Sequence, residues 1–311
     1  MSDEMQVSEF LSKWLRGLDS EIAFWHTLIA TGYPDHECLR PEARTGLPFR
    51  YPELLAELGS IAGVVKILDV GSGPISCLGS LSAAPYVIDL KACDPLASAY
   101  NAILEKYHVC PPVRTAFAIG ELLTSFYPQN SFHIVHMANA LDHSFDPTIV
   151  LHQMLALCRP GGFILLLHNE NEALTQHYEG LHQWNISSEG DQLFFWNRQR
   201  RVNVAESLLN RAEVRCVRTE FSDRPAVVQA KIHKLIESEF PETHGAANYE
   251  FVFKLLCYQL STDCRSIAES GSDFDDVKPV ARRDLLRSAY KSLGRGVKRQ
   301  CIRFAKFKGS N

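Results

Sequence analysis

Residues 64–76 read VVKILDVGSGPIS. Val64, Val65, Ile67, Leu68 and Val70 make a run that is apolar on both faces, as in a strand buried inside a parallel sheet. The run stops at Gly71 and Gly73, which let the backbone turn sharply and approach a ligand with no Cβ in the way. Asp69 sets a carboxylate just before the bend. A dinucleotide fingerprint wants a third glycine three residues after the second, and Ser76 stands there instead.

Working outward, Tyr86 to Cys93 predicts a second strand that ends at Asp94. This acid lies about twenty residues past the glycines, where a carboxylate can accept both hydroxyls of a ribose. Asp94 is also placed to cap the helix running to Tyr107. Ile75 to Ala83 is expected to open the first crossover helix, with its N-terminal amides toward a bound anion. A third strand is expected over Val113 to Ala118, followed by Gly120 and Glu121. Ser131 to Ala140 (SFHIVHMANA) is a fourth strand, opening into LDHSFDP, where Asp146 and Pro147 start a helix of apolar period through Leu157. CRPGG breaks that helix before the apolar strand Gly162 to Leu167.

The strand and Gly-Ser-Gly-Pro turn, the later acid, the polar loop before a helix and the Arg-Pro-Gly-Gly segment fall in one order over about Leu54 to His168. That order resembles the class I S-adenosylmethionine-dependent methyltransferases, of the type 11-like kind. With LDHSFDP and the run after His168, it also resembles those encoded among bacterial surface-glycan genes. The resemblance implies an α/β, Rossmann-like fold: a mostly parallel seven-stranded sheet with helices on both faces, one antiparallel strand, a helical N-terminal extension and a basic C-terminal helix. It implies S-adenosyl-L-methionine as cofactor, held by Asp69, Gly71, Ser72, Gly73, Pro74, Asp94, Leu96, Glu121 and Asn139. Leu96 would pack on the adenine, and Glu121 or nearby backbone would meet its amino group.

The acceptor side is read from the loop after the fourth strand, at the carboxyl edge of the sheet where open α/β sheets bind ligands. His143 is the expected general base and Asp142 its orienting partner, with His182 and His168 in reserve. The acceptor expected is a small molecule or glycan hydroxyl. Two other readings stay open: a nicotinamide-dependent oxidoreductase, and a methyltransferase-like binding protein or scaffold without catalysis.

Composition bounds the rest. The chain has 311 residues, 46% of them hydrophobic, enough for a full core. Nine cysteines without Cys-x-x-Cys spacing read as core residues of a reducing compartment. A start of MSDEMQ, and no apolar run of membrane length, point to a cytoplasmic protein. The net charge of -4 combines an acidic body with a basic end, which argues against a nucleic-acid surface.

Four segments are expected. Residues 1–53 are a helical N-terminal extension and loop, with two short helices between Phe10 and Gly32 that either pack on the sheet or cover the cofactor. The loop that follows carries Arg40, Arg44 and Arg50, which could meet an anionic part of a substrate or stay solvated. Residues 54–260 are the catalytic domain, with an insert at about 169–203. There His168, Glu170, Glu172, His177, Glu179 and His182 crowd together, but no pair has the helical His-x-x-x-His spacing that seats two ligands on one ion, so no metal is expected. Glu213 to Glu220 and Tyr249 to Tyr258 are read as the last two strands, with an extra helix over Pro225 to Phe240. Residues 261–280 form an acidic linker. In 281–311, Arg287, Lys291, Arg295, Arg299 and Arg303 recur every four residues beside an apolar face. Residues 282–308 would thus suit peripheral contact with anionic lipid, or simply stay solvated.

Overall fold

The structure is a computed structural model and describes residues 3–31, 48–59, 63–80 and 86–236. Arg40 and Arg44, the expected strand Tyr249 to Tyr258, the linker 261–280 and the basic tail lie outside the described residues.

In chain order the elements are α1 (Asp3–Ala30), α2 (Pro52–Glu57), β1 (Val64–Val70), β2 (Val87–Asp94), α3 (Ala97–Lys106) and β3 (Thr115–Phe117). After β3 comes a 3₁₀ turn (Gly120–Ser125), then β4 (Phe132–Ala138), a second 3₁₀ turn (Leu141–His143), α4 (Pro147–Leu157) and β5 (Cys158–Asn169). The insert holds α5 (Glu172–Thr175), β6 (Asn185–Glu189), β7 (Gln192–Trp196), β8 (Arg201–Asn203) and α6 (Val204–Ser207). Strands β9 (Ala212–Thr219) and β10 (Val227–Lys234) follow.

Seven strands form one sheet in the order β3-β2-β1-β4-β5-β10-β9. All neighbours from β3 to β5 are parallel, and β10 runs antiparallel to both β5 and β9. This is the Rossmann-like sheet of the class I methyltransferase fold, with its single reversed strand. Leu54 and Leu55 of α2 cover one face over Val65, Ile67, Ile134 and Leu165. Val150, Leu151 and Met154 of α4 cover the other over Leu68, Val70, Val135 and Met137. Strand order reverses beside β1, so the crevice between the ends of β1 and β4 is the switch point where such sheets bind ligands.

Three expectations are corrected. The two N-terminal helices are one, because Asp19 and Ser20 lie within α1 without breaking it; the apolar period continues through Trp14, Leu18, Ile22 and Ile29, all buried. The crossover helix expected from Ile75 is absent over residues 75–80. There Ser76 Oγ donates to Asp69 Oδ2 at 2.6 Å and accepts from the Leu78 amide, and Gly79 has a φ of +73°. A hydroxyl bonded locally in this way offers the backbone an alternative to a helix. Finally, where a helix is expected over Pro225 to Phe240, the described residues to 236 hold strand β10 instead, since Val228, Ala230, Ile232 and Lys234 are buried in alternation.

Candidate active site

The glycine turn is built as the sequence implies. Gly71 and Gly73 have φ of +64° and +62°, the left-handed region that favours glycine. A Cβ on Gly71 would stand 2.5 Å from the Ala140 Cβ, and one on Gly73 would stand 2.9 Å from the Trp25 ring. Asp94, at the end of β2, accepts from the Gly73 amide at 3.1 Å and the Leu96 amide at 2.8 Å. Burial pushes its carboxyl up to about 7, against those two hydrogen bonds, with the charges of Glu21 and Asp69 adding to the rise. Ser72 Oγ meets Thr115 Oγ1 at 3.1 Å, and that hydroxyl donates to the carbonyls of Gly73 and, more weakly, Pro74. Leu96 is buried in an apolar cluster with Ile75, Tyr100 and the half-buried Trp25.

Asp69 is held from two sides, by Ser76 and by His136 Nδ1 at 2.6 Å from Oδ1. Strand register makes this pair, since Asp69 lies directly beside His136 on β4. Glu121 Oε1 accepts from the amides of Phe145 at 2.7 Å and Asp146 at 3.4 Å, pinning the loop before α4. Burial lifts that carboxyl to about 7 despite these bonds. Asn139 has a φ of +46° and accepts from the Asn169 amide at 3.0 Å, fastening the ends of β4 and β5 together.

Beyond β4 the expected acceptor-side residues come together. His182 Nδ1 lies 2.7 Å from Asp142 Oδ2 and 3.2 Å from His143 Nε2, and His143 Nε2 lies 3.6 Å from the same carboxylate oxygen. Asp142 and His143 sit in the turn after β4, whereas His182 arrives from the insert, where the Gln183 amide donates to the Asp142 carbonyl. Burial alone would raise the Asp142 carboxyl, but His143 and the hydrogen-bonded His182, with His168 beyond, hold it below its ordinary value. Burial would lower His182, and Asp142 reverses this to a raised value. His168 is fully buried with neither ring nitrogen hydrogen-bonded, and burial drops it to about 4, so it is a neutral imidazole.

Helix α1 covers both halves of this crevice. Trp25 lies over Gly73 and donates to Glu21 Oε1. Eleven residues earlier in the helix, Trp14 Nε1 donates to the His143 carbonyl. Gly17 lies so close to the Gly180–Leu181 backbone that a Cβ would fall 2.7 Å from it.

The sequence by itself assigns no role to His136 or Thr115, and gives the two tryptophans only a place in helices that either pack on the sheet or cover the cofactor. A histidine inside the apolar strand SFHIVHMANA is the available signal for the first. The tryptophans look like core residues, because a helical apolar stripe does not say which of its members face a ligand.

The fold is a Rossmann-like sheet of seven strands with a polar cluster at the end of β4. No family model matches this sequence, and no curated protein does. Among solved structures it is similar to a 1,6-didemethyltoxoflavin N1-methyltransferase from Burkholderia thailandensis, at 18% identity and a TM-score of 0.40, over 74% of this chain and 88% of that one. That structure holds 1,6-didemethyltoxoflavin and S-adenosylhomocysteine. It is also similar to the N-methyltransferase NodS from Bradyrhizobium japonicum, at 13% identity and a TM-score of 0.40, over 68% of this chain and 98% of that one. A SAM-dependent methyltransferase from Methanosarcina mazei matches at 15% identity and a TM-score of 0.39, over 61% of this chain and all of that one.

Proposed function

We propose that this protein is an S-adenosylmethionine-dependent methyltransferase that methylates a hydroxyl of a small molecule or glycan. The observation that carries the reading is the meeting, at the switch point of one sheet, of the Gly71–Gly73 turn with Asp94 on one side and Asp142, His143 and His182 on the other. When bound, the cofactor supplies a methyl already activated on sulfur, so the protein's task is chiefly to position the acceptor.

The residues fit that cofactor. Two glycines keep the turn free of side chains of its own, with the Ala140 Cβ and the Trp25 ring packed beside it, and Asp94 is placed at the end of β2, as a ribose partner requires. A helix N-terminus for an anionic group is not supplied by residues 75–80, so that contact falls to other groups. The Asp142–His143–His182 cluster assists loss of the acceptor's proton, a contribution of roughly 10²–10⁴-fold in general. A sugar or phenolic acceptor is supported by the mixed aromatic and polar surroundings, in which Trp184 Nε1 donates to the Phe145 carbonyl and Asn185 donates to the Tyr178 hydroxyl.

Titration calorimetry with S-adenosylmethionine and with NAD tests the cofactor, and heat with NAD alone would overturn the reading. His143→Ala is expected to bind S-adenosylmethionine as the unaltered protein does, and to lose about 10²-fold or more in turnover. Unchanged turnover would remove His143 from the site.

A further inference from the structure

We propose that Asp142, His143 and His182 form a binding site for one divalent transition-metal ion, ligated through Oδ2, Nε2 and Nδ1. These three atoms lie within 4.8 Å of one another, at separations of 2.7, 3.2 and 3.6 Å. Imidazole nitrogen and carboxylate oxygen bind zinc at about 2.0–2.2 Å, so ligand atoms around one such ion stand about 3.0–3.5 Å apart. The observed spacing brackets that range.

Hydrogen bonding alone does not account for the convergence. His182 Nδ1 carries at most one hydrogen, and the 2.7 Å contact to Asp142 uses it. His143 Nε2, 3.2 Å from the same nitrogen, then faces either a hydrogen already committed or, if it is itself protonated, another N–H nearer than the carboxylate oxygen 3.6 Å away. A cation at the centre satisfies all three atoms at once. Asp142 is itself buried, and a buried carboxylate is stabilised by positive charge nearby.

The setting also suits a metal. The backbones of two ligands are fixed from outside, the His143 carbonyl by Trp14 and the Asp142 carbonyl by the Gln183 amide. The side chains of His143 and His182 keep 18% and 29% of their exposure, so three protein ligands leave coordination positions open, as in catalytic rather than structural sites. Two imidazoles and one carboxylate favour zinc, iron(II), cobalt(II) or manganese(II) over magnesium or calcium, which prefer all-oxygen sets. The expectation that no metal binds rests on spacing along the chain. Here the two histidines come from separate segments, which spacing within one helix does not register. The role of the ion, though not its presence, rests on the acceptor-side reading above: an acceptor hydroxyl at an open position would lose its proton to water more readily.

The test uses the full chain, stripped with a chelator and titrated with cobalt(II), read by visible absorption and by elemental analysis after dialysis. One ion per chain is expected. His143→Gln and His182→Gln keep side-chain volume and polarity, and each should weaken cobalt binding more than the roughly 10–100-fold typical of losing a group that merely supports a ligand. The exposed His177→Gln should bind as the unaltered chain does. No saturable uptake, or equal affinity in all three variants with circular dichroism showing each one folded, would overturn the site. S-adenosylmethionine titrations on the same samples separate the two proposals. A chain that takes up cobalt and ignores the cofactor retains the ion site and loses the methyl-transfer reading.

Discussion

Gly73 shows how closely one residue can be specified. Its φ of +62° and the Trp25 ring 2.9 Å from where a Cβ would stand make Gly73→Ala doubly unfavourable. The left-handed backbone alone costs a side-chain-bearing residue about 1–2 kcal/mol. Chemical denaturation is expected to show at least that loss, and calorimetry a loss of cofactor binding; a variant as stable as the parent would contradict the geometry.

Glu121 makes a prediction in pH. Its carboxyl ionises near 4.5 in an unfolded chain and at about 7 here, raised by burial and by Asp146 against amide bonds from its own backbone, Phe145 and Asp146. A folded value above the unfolded one means stability that is fully present below pH 4.5 and lost as pH rises through 7. Glu121→Gln keeps an oxygen for both amides and cannot ionise. It should therefore gain on the native protein between pH 4.5 and 7 by on the order of 3 kcal/mol, measured by urea unfolding at pH 5 and pH 8. A difference that stays flat over this range would refute it. The left-handed turn at the two glycines and the position of Asp94 at the end of β2 were legible in the sequence, because a sharp turn selects glycine and the acid closes an apolar strand. The roles of Glu121 and His136 were not, because each depends on a partner supplied by tertiary packing.

At the scale of elements, β10 carries an unusual member of the core. Lys234 is fully buried, and its Nζ donates to Asn130 Oδ1 at 2.7 Å, the Cys158 carbonyl at 2.8 Å and the Leu155 carbonyl at 2.9 Å. Two of those acceptors mark the end of α4, where a cation also complements the helix dipole. Lys234→Met fills much of the volume and leaves the acceptors unpaired, so thermal unfolding should show a loss of about 3 kcal/mol or more. A change below about 1 kcal/mol would mean that water replaces the ammonium. This lysine also hides β10 in the sequence: a polar residue in a buried position spoils the alternation that marks a strand. The parallel strands β1 and β5 were legible because a short run apolar on both faces, bounded by glycine, suits a strand covered on two sides. Helix α1 was legible as helix but not in length, since residues able to cap a helix also occur within one.

For the whole molecule, the seven-stranded sheet and its reversed strand followed from the resemblance, and among the described residues the reversed strand is β10, in a segment read as helix. Among the described residues no helix is long and apolar enough to cross a membrane. Peripheral contact through the basic residues 282–308 remains a proposal from sequence, at about 1 kcal/mol for each cation near an anionic surface. Vesicles containing anionic lipid should retain the intact chain, and retain a chain ending at Lys278 several-fold less, with the difference fading at high salt. Equal retention would dismiss the tail as a lipid anchor.

Helix α1 is a stiff rod resting on two supports. Trp25 bears on the glycine turn, and Trp14 and Gly17 bear on the loops that carry His143 and His182, about 16 Å away along the axis. With no side chain to act as a cushion at the Gly17–Gly180 crossing, a tilt that lifts one end presses on the other. Seating one reactant would thereby adjust the berth of the second, and the order in which they arrive would leave its mark on initial-rate kinetics.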